Sequence, residues 1–269
     1  GALTWVNGLN GTLTDTTSHG AVVSAANSLV GSYAYDNVGD ALALNNSNFL
    51  AKTPVWASGV LGGTGGVGAI SWISGASGKL SDGTSLGASV SATNSVVGSS
   101  AGDNTSPVIF QLTGLADGKL LIHNPSYNSG GNAPSAGAVT WMDGGNGHLS
   151  NGATGGVISP GITAAGNSLV GSSTNDYIGA YFGYPQPSGS ITQLSNGNVI
   201  VATPTWDNGG QANVGAITWM SGINGLLSNG ASGAAISAAN SLIGGTAGDA
   251  LGSAGIYANA QTGNVLEQS

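Results

Sequence analysis

Apolar positions along the chain fall into short runs broken by Gly, Asn, Ser and Asp. No window places apolar residues at i, i+3, i+4 and i+7 for three turns, so helices are not expected. The run Gly215–Trp219 (GAITW) alternates apolar residues with Thr, ends on an aromatic and is bounded by Gly, which predicts a strand. The run Gly197–Pro204 (GNVIVATP) is almost continuously apolar, which predicts a strand covered on both faces. Leu-Ser-Asn-Gly ahead of it predicts a hairpin turn, because Asn-Gly tolerates positive φ. Before that turn, SITQL from Ser190 and PVIFQL from Pro107 predict another strand. GINGLLSNG after GAITW is turn chemistry, and AAISAANSLIG from Ala234 predicts one or two short strands around an Asn.

This pattern recurs four times. GALTW, GAISW, GAVTW and GAITW begin at Gly1, Gly68, Gly137 and Gly215. An Asn-Ser element follows at Asn27, Asn94, Asn167 and Asn240. A third landmark is SNFLAKTPVW from Ser47, GKLLIHNPSY from Gly118, GNVIVATPTW from Gly197 and the shorter GNVLEQS from Gly263. The repeat units are therefore 1–67, 68–136, 137–214 and 215–269, in a single repeat domain spanning 1–269. The third unit is lengthened by insertions around SPGI and YFGYPQPSG. About four strands per unit make one sheet, which cannot bury both faces alone, so the copies must stack. Radial stacking predicts an all-β, four-repeat β-propeller. The chain begins on the third strand of a unit and stops after the second. Pairing of the N- and C-terminal strands would close such a ring. A β-solenoid or a strand-exchanged array is the alternative.

At GNVIVATPTWDNGG…VGAITW the chain resembles the FG-GAP type of propeller blade. There, a Gly-bounded apolar strand ending near Pro precedes a Gly-Ala-apolar-x-aromatic strand. GAVTW…NSLVGS…NGN…P.W is similar to repeats of very large bacterial surface proteins of the filamentous-haemagglutinin-like adhesin class. The likeness covers the whole chain. It implies a secreted or cell-surface protein with a role in adhesion or surface structure. FG-GAP blades often carry a calcium loop of the form Asp-x-Asp-x-Asp-Gly, and this sequence has no such run, so calcium is not carried over.

Composition narrows the function classes. Charged residues are 5% of the chain, Arg is absent, and Lys52, Lys79 and Lys119 are the only lysines, against 11 acids and a net charge of −8. So few cations cannot neutralise a row of phosphates, which argues against nucleic-acid binding. They also supply no polybasic patch for anionic lipid. No stretch is long and apolar enough to insert in a membrane as a helix. There is no Cys, a usage common in extracellular bacterial proteins that fold without disulfides. The first residues carry neither a basic n-region nor an apolar h-region, so no signal peptide is expected within them.

Candidate residues come from the repeat positions. Trp56, Tyr127 and Trp206 each follow a Pro in Gly/Asn-rich loops, with Asp207 and Asn208 beside Trp206. An aromatic face flanked by amide and carboxylate groups suits carbohydrate, so these five are the candidate ligand-binding set. Asp36, Asp103, Asp176 and Asp249 recur nine residues after each repeated Asn. They are candidate calcium ligands, against the simpler reading of Asx-turns. The repeated Asn reads as an amide pairing with backbone, and Trp5, Trp72, Trp141 and Trp219 as a core layer or inter-blade contact. His19, His123 and His148 have no metal spacing, and no Gly-x-Ser-x-Gly elbow is present. Glu267 is the only Glu.

These features predict a non-catalytic binding or adhesion module without a cofactor, with a glycan or a host or cell-surface component as partner. The alternative is a self-associating structural subunit of an extracellular filament, sheath or surface layer. An enzyme acting on glycans is a second alternative, which rests on analogy of fold.

Overall fold

The computed structural model describes residues 1–56, 66–100, 103, 111–129, 133–161, 165–180 and 190–268. The Pro107–Phe110 part of one expected strand and the YFGYPQPSG insertion lie outside the described residues. Among those described, the regular structure is all β apart from one turn of 3-10 helix at Ala116–Gly118.

Nineteen strands occur in chain order: β1 Ala2–Leu3, β2 Leu29–Val30, β3 Asp40–Ala43, β4 Phe49–Thr53, β5 Ala69–Ile73, β6 Ala88–Ser89, β7 Ser95–Val97, β8 Gln111–Gly114, β9 Lys119–Asn124, β10 Ala138–Asp143, β11 Gly156–Val157, β12 Ser168–Val170, β13 Ser190–Gln193, β14 Val199–Thr203, β15 Ala216–Met220, β16 Ala234–Ala235, β17 Ser241–Ile243, β18 Ile256–Ala258 and β19 Val265–Glu267. Among the described residues these strands form five sheets. Sheet II runs β3-β4-β5-β7, sheet III β8-β9-β10-β12 and sheet IV β13-β14-β15-β17, each an antiparallel meander. Sheet I holds β1-β2 and sheet V holds β18-β19.

Each of sheets II to IV joins the end of one sequence repeat to the start of the next. The hairpin expected at Leu-Ser-Asn-Gly closes between β13 and β14, where Leu194 N–H donates to Asn198 O at 2.7 Å. The GNVIVATP run is buried throughout β14. Its alternate side chains serve two interfaces, as a period of two demands. Val199 and Val201 pack toward Leu121, Val139 and Trp141 of sheet III. Ile200 and Ala202 pack with Ile217, Ile256 and Val265 toward sheet V. In the same way Leu50, Ile70 and Trp72 of sheet II meet Leu120, Ile122 and Met142 of sheet III. Leu3 and Leu29 of sheet I meet Ala51, Ala69 and Ile73 of sheet II. The core is thus a series of apolar layers between successive sheets. Fully burying one such Leu or Val contributes roughly 1.5–3 kcal/mol, which is why no unit is complete alone.

A second coupling runs through the backbone. The two-residue strands β6, β11 and β16 each leave their own unit and pair in parallel with the edge strand of the sheet before it: β6 with β2, β11 with β7, β16 with β12. Neighbouring sheets therefore share hydrogen bonds as well as side-chain layers.

The ring closure expected from the repeat frame is not formed. β1 pairs with β2 and β19 pairs with β18, but the two do not pair with each other. Face-to-face packing fixes the order of the sheets. It does not by itself impose the quarter turn per sheet that a four-membered ring needs.

Candidate functional site

Three devices recur at equivalent positions, and they account for most of the residues singled out above. The first is a joint between sheets. Trp5 Nε1 donates to Gly75 O at 2.9 Å, Trp72 Nε1 to Gly144 O at 2.8 Å and Trp141 Nε1 to Gly222 O at 3.0 Å. Each acceptor lies in the turn that follows the Trp-bearing strand of the next sheet. That turn reads Gly-x-x-Gly, and its second Gly has positive φ: 70° at Gly78, 79° at Gly147 and 73° at Gly225. A Cβ on these three would stand 2.7, 2.7 and 2.6 Å from the Cβ of Trp5, Trp72 and Trp141. Only Gly permits both the conformation and the approach. The inter-blade reading of the Trp series thus fits Trp72 and Trp141, which are buried, and half-buried Trp5. The sequence marks GINGLLSNG as turn chemistry but does not assign such turns as partners of the Trp series. The signal lay in the recurring Gly-x-x-Gly that begins three residues after each Trp (NGLNG, SGASG, DGGNG, SGING).

The second device is an amide ladder. Asn167 Oδ1 accepts Ser159 N–H at 3.0 Å and the Ser168 hydroxyl at 2.8 Å, while its Nδ2 donates to Val157 O at 3.0 Å. Ser168 Oγ lies 2.6 Å from Thr140 Oγ1 on the neighbouring strand. The same constellation occurs at Asn27, Asn94 and Asn240. The structural reading of the Asn series agrees with this geometry: at Asn94, Asn167 and Asn240 the amide bridges a short strand to the turn that follows it, and Asn27 bridges Val22 to the turn at Ser24.

The third device holds the Asp series. Asp176 Oδ2 accepts Ser172 and Ser173 N–H at 2.8 and 2.7 Å, and its Oδ1 accepts Asp207 N–H of the next sheet at 3.0 Å. Asp103 repeats this with Ser99, Ser100 and Asn128, and Asp36 accepts Ser32 and Tyr33 N–H. Asp249 bonds only within its own turn, to Gly245 and Thr246, and is exposed. Burial pushes the Asp176 carboxyl up to about 6, whereas the hydroxyl and amide of Thr246 hold Asp249 below the ordinary value. The four carboxylates sit in separate turns. Among the described residues no group of three or more His, Asp or Glu side chains gathers where a metal could be held.

The candidate ligand set divides. Trp56, Tyr127 and Trp206 are buried, at 7%, 2% and 3% exposure, so none offers an open ring face. Their polar ends are engaged: Trp206 Nε1 donates back to Ser172 Oγ at 3.2 Å and Trp56 Nε1 to Ser32 Oγ at 3.4 Å, while Tyr127 OH donates forward to Ile158 O at 3.1 Å. The Pro ahead of each ring turns the chain inward, where the aromatic covers the interlayer core. Asp207 remains partly accessible and Asn208 is exposed. Asp207 lines an open polar hollow of about 320 Å³ with Asn175, Tyr177, Thr205 and Asn213, and its Oδ1 accepts Asn213 N–H at 2.7 Å.

The histidines stay apart. His123 is buried at 4% exposure within β9, and desolvation pushes its imidazole down to about 4. No helix among the described residues is long and apolar enough to cross a membrane.

A family model described as a repeat of unknown function (DUF5650) matches the chain in four copies, at residues 1–40, 43–106, 114–180 and 193–253. No curated protein matches the chain.

Proposed function

This chain belongs to the DUF5650 family of repeats, and on that basis we propose that it is a non-catalytic structural module, an open stack of β sheets within a secreted or cell-surface bacterial protein. The carrying observation is the inter-sheet joint, in which one indole N–H meets one Gly carbonyl at three successive interfaces. The recurring Trp indoles, with the buried Asp103 and Asp176 carboxylates that accept Asn128 and Asp207 N–H, hold one sheet to the next. An open array of this kind suits the stalk or sheath of a large adhesin better than a closed propeller with a central site. The paucity of charge and the absence of Cys fit an extracellular setting. Force spectroscopy of the chain held between handles tests the reading. Unfolding in a few steps of one-sheet length, each above the force of an isolated two-stranded hairpin, supports it. Extension without resolvable steps refutes it.

A binding role has one observation in its favour, the polar hollow beside Asp207 and Tyr177. A carbohydrate is the ligand this lining suits. Glycan-array binding abolished by Asp207→Ala would make adhesion the primary role, and a blank array would leave the structural role alone.

A further inference from the structure

The Asn-Gly pairs that turn the chain also carry a chemistry of their own. Gly has no Cβ to shield the backbone nitrogen that follows the Asn side chain. Once deprotonated, that nitrogen attacks the side-chain carbonyl carbon and closes a succinimide ring, which makes Asn a thermolabile residue. We propose that Asn208 is a site of such self-modification, and that the fold protects the other Asn-Gly pairs from it.

The sequence holds eight Asn-Gly pairs, at Asn7, Asn10, Asn146, Asn151, Asn196, Asn208, Asn224 and Asn229. In six of them the nucleophile is already a bonded donor. Gly11, Gly147, Gly152, Gly197, Gly225 and Gly230 each donate their N–H to a backbone carbonyl at 2.6–2.9 Å. The Asn ahead of each is held as well, its Oδ1 accepting the N–H two residues on at 2.9–3.2 Å. Reaction at these six requires the turn to open first. At the seventh pair Asn7 is half-buried, and its Oδ1 accepts Leu9 N–H at 2.9 Å.

Asn208 has none of these restraints. It is exposed, and among the described residues neither its side-chain amide nor the Gly209 N–H has a hydrogen-bond partner. A Cβ at Gly209 or Gly210 would meet nothing within 4 Å, so the turn has room for the ring. Its own bonds are Asn208 N–H to Gln211 O at 3.0 Å and Gln211 N–H to Asn208 O at 3.1 Å.

The step balances without a cofactor. Base removes the Gly209 amide proton, the nitrogen bonds to Asn208 Cγ, and the side-chain nitrogen takes up a proton and leaves as ammonia. Water then opens the ring. Attack at Cγ gives Asp, and attack at the main-chain carbonyl leaves isoaspartate, with the backbone running through the side chain. Either product puts a new carboxylate beside Asp207, which lines the polar hollow. Isoaspartate also adds one carbon to the backbone between the two bonds of the Asn208–Gln211 turn. Asp207 links that turn to the joint between sheets III and IV, because its N–H donates to Asp176 Oδ1 at 3.0 Å.

The test incubates the folded chain and a urea-unfolded sample side by side at mildly alkaline pH in heavy-oxygen water, which labels every ring opened during the incubation. Peptide mapping by mass spectrometry follows the eight sites separately, and protein isoaspartyl methyltransferase marks the isoaspartate. In the folded chain Asn208 should convert about tenfold faster, or more, than any other pair, since the others wait on local opening. In urea the turns are lost, and that lead should shrink to about threefold or less. A folded chain in which another Asn-Gly pair leads overturns the proposal, as does one in which Asn208 stays intact while the urea sample converts. A lead at Asn208 that urea leaves unchanged overturns it too, because neighbours in sequence would then set the rate. So does an absence of label at every site in both samples.

Discussion

Replacing Asn167 by Ala is the sharpest probe of what the repeated Asn-Ser element does. The side chain is 5% exposed and makes three hydrogen bonds: from Ser159 N–H, from the Ser168 hydroxyl and to Val157 O. A protein hydrogen bond contributes about 1 kcal/mol net, and a donor or acceptor left dry costs about 1–3 kcal/mol. Loss of all three bonds should therefore lower stability by about 3 kcal/mol. The chain supplies its own control. Asn27 makes the same three bonds at 3.0, 2.8 and 3.0 Å, but its carbonyl acceptor belongs to Val22, which is 88% exposed, so water replaces what Ala removes. Asn27→Ala should cost under about 1 kcal/mol. Urea titrations read by Trp fluorescence measure both variants. Hydrogen exchange at the Ser159 amide checks that the loss is local, because a stacked array need not unfold in a single transition. Equal costs at the two positions would refute the reasoning, as would an Asn167→Ala variant within about 0.5 kcal/mol of the parent, the scatter of surface substitutions.

Two further predictions follow from the same geometry. Gly225→Ala combines left-handed backbone strain of about 1–2 kcal/mol with a Cβ set 2.6 Å from Trp141 Cβ, so it should cost about 3 kcal/mol or more. Gly152→Ala, at φ 80° with nothing within 4 Å, should cost only the strain, and equal denaturation midpoints would contradict the joint. In pH titrations of stability, His123 and Asp176 act in opposition. Burial lowers the His123 pKa from 6.5 to about 4, so the unfolded chain takes up its proton first, and stability is lost as pH falls from 6.5 toward 4. Burial raises the Asp176 pKa from 3.8 to about 6, so its contribution is present at low pH and lost as pH rises from 3.8 toward 6. Each has a ceiling of about 3 kcal/mol, and together they should leave the parent nearly flat across pH 4 to 6.5. Asp176→Asn should expose a steady loss on acidification, and a flat profile for that variant would show that His123 is not held neutral.

Repeat order, strand positions and turn chemistry were all legible in the chain, because each is written in residues adjacent in sequence. The period of two with apolar residues at both phases in Val199–Thr203 already meant two covered faces, and the Asn series already read as amides pairing with backbone, while the Asp series stood between calcium ligands and Asx-turns. Tertiary structure decided everything that depends on which sheet lies against which. Trp56, Tyr127 and Trp206 looked like loop aromatics, and packing turned them into covers of the interlayer core. The parallel pairs made by β6, β11 and β16 have no local signal, since two residues carry no periodicity. Closure was also beyond the sequence. A strand's pattern states which faces must be buried, whereas the angle between successive sheets is set by the summed volumes in each layer.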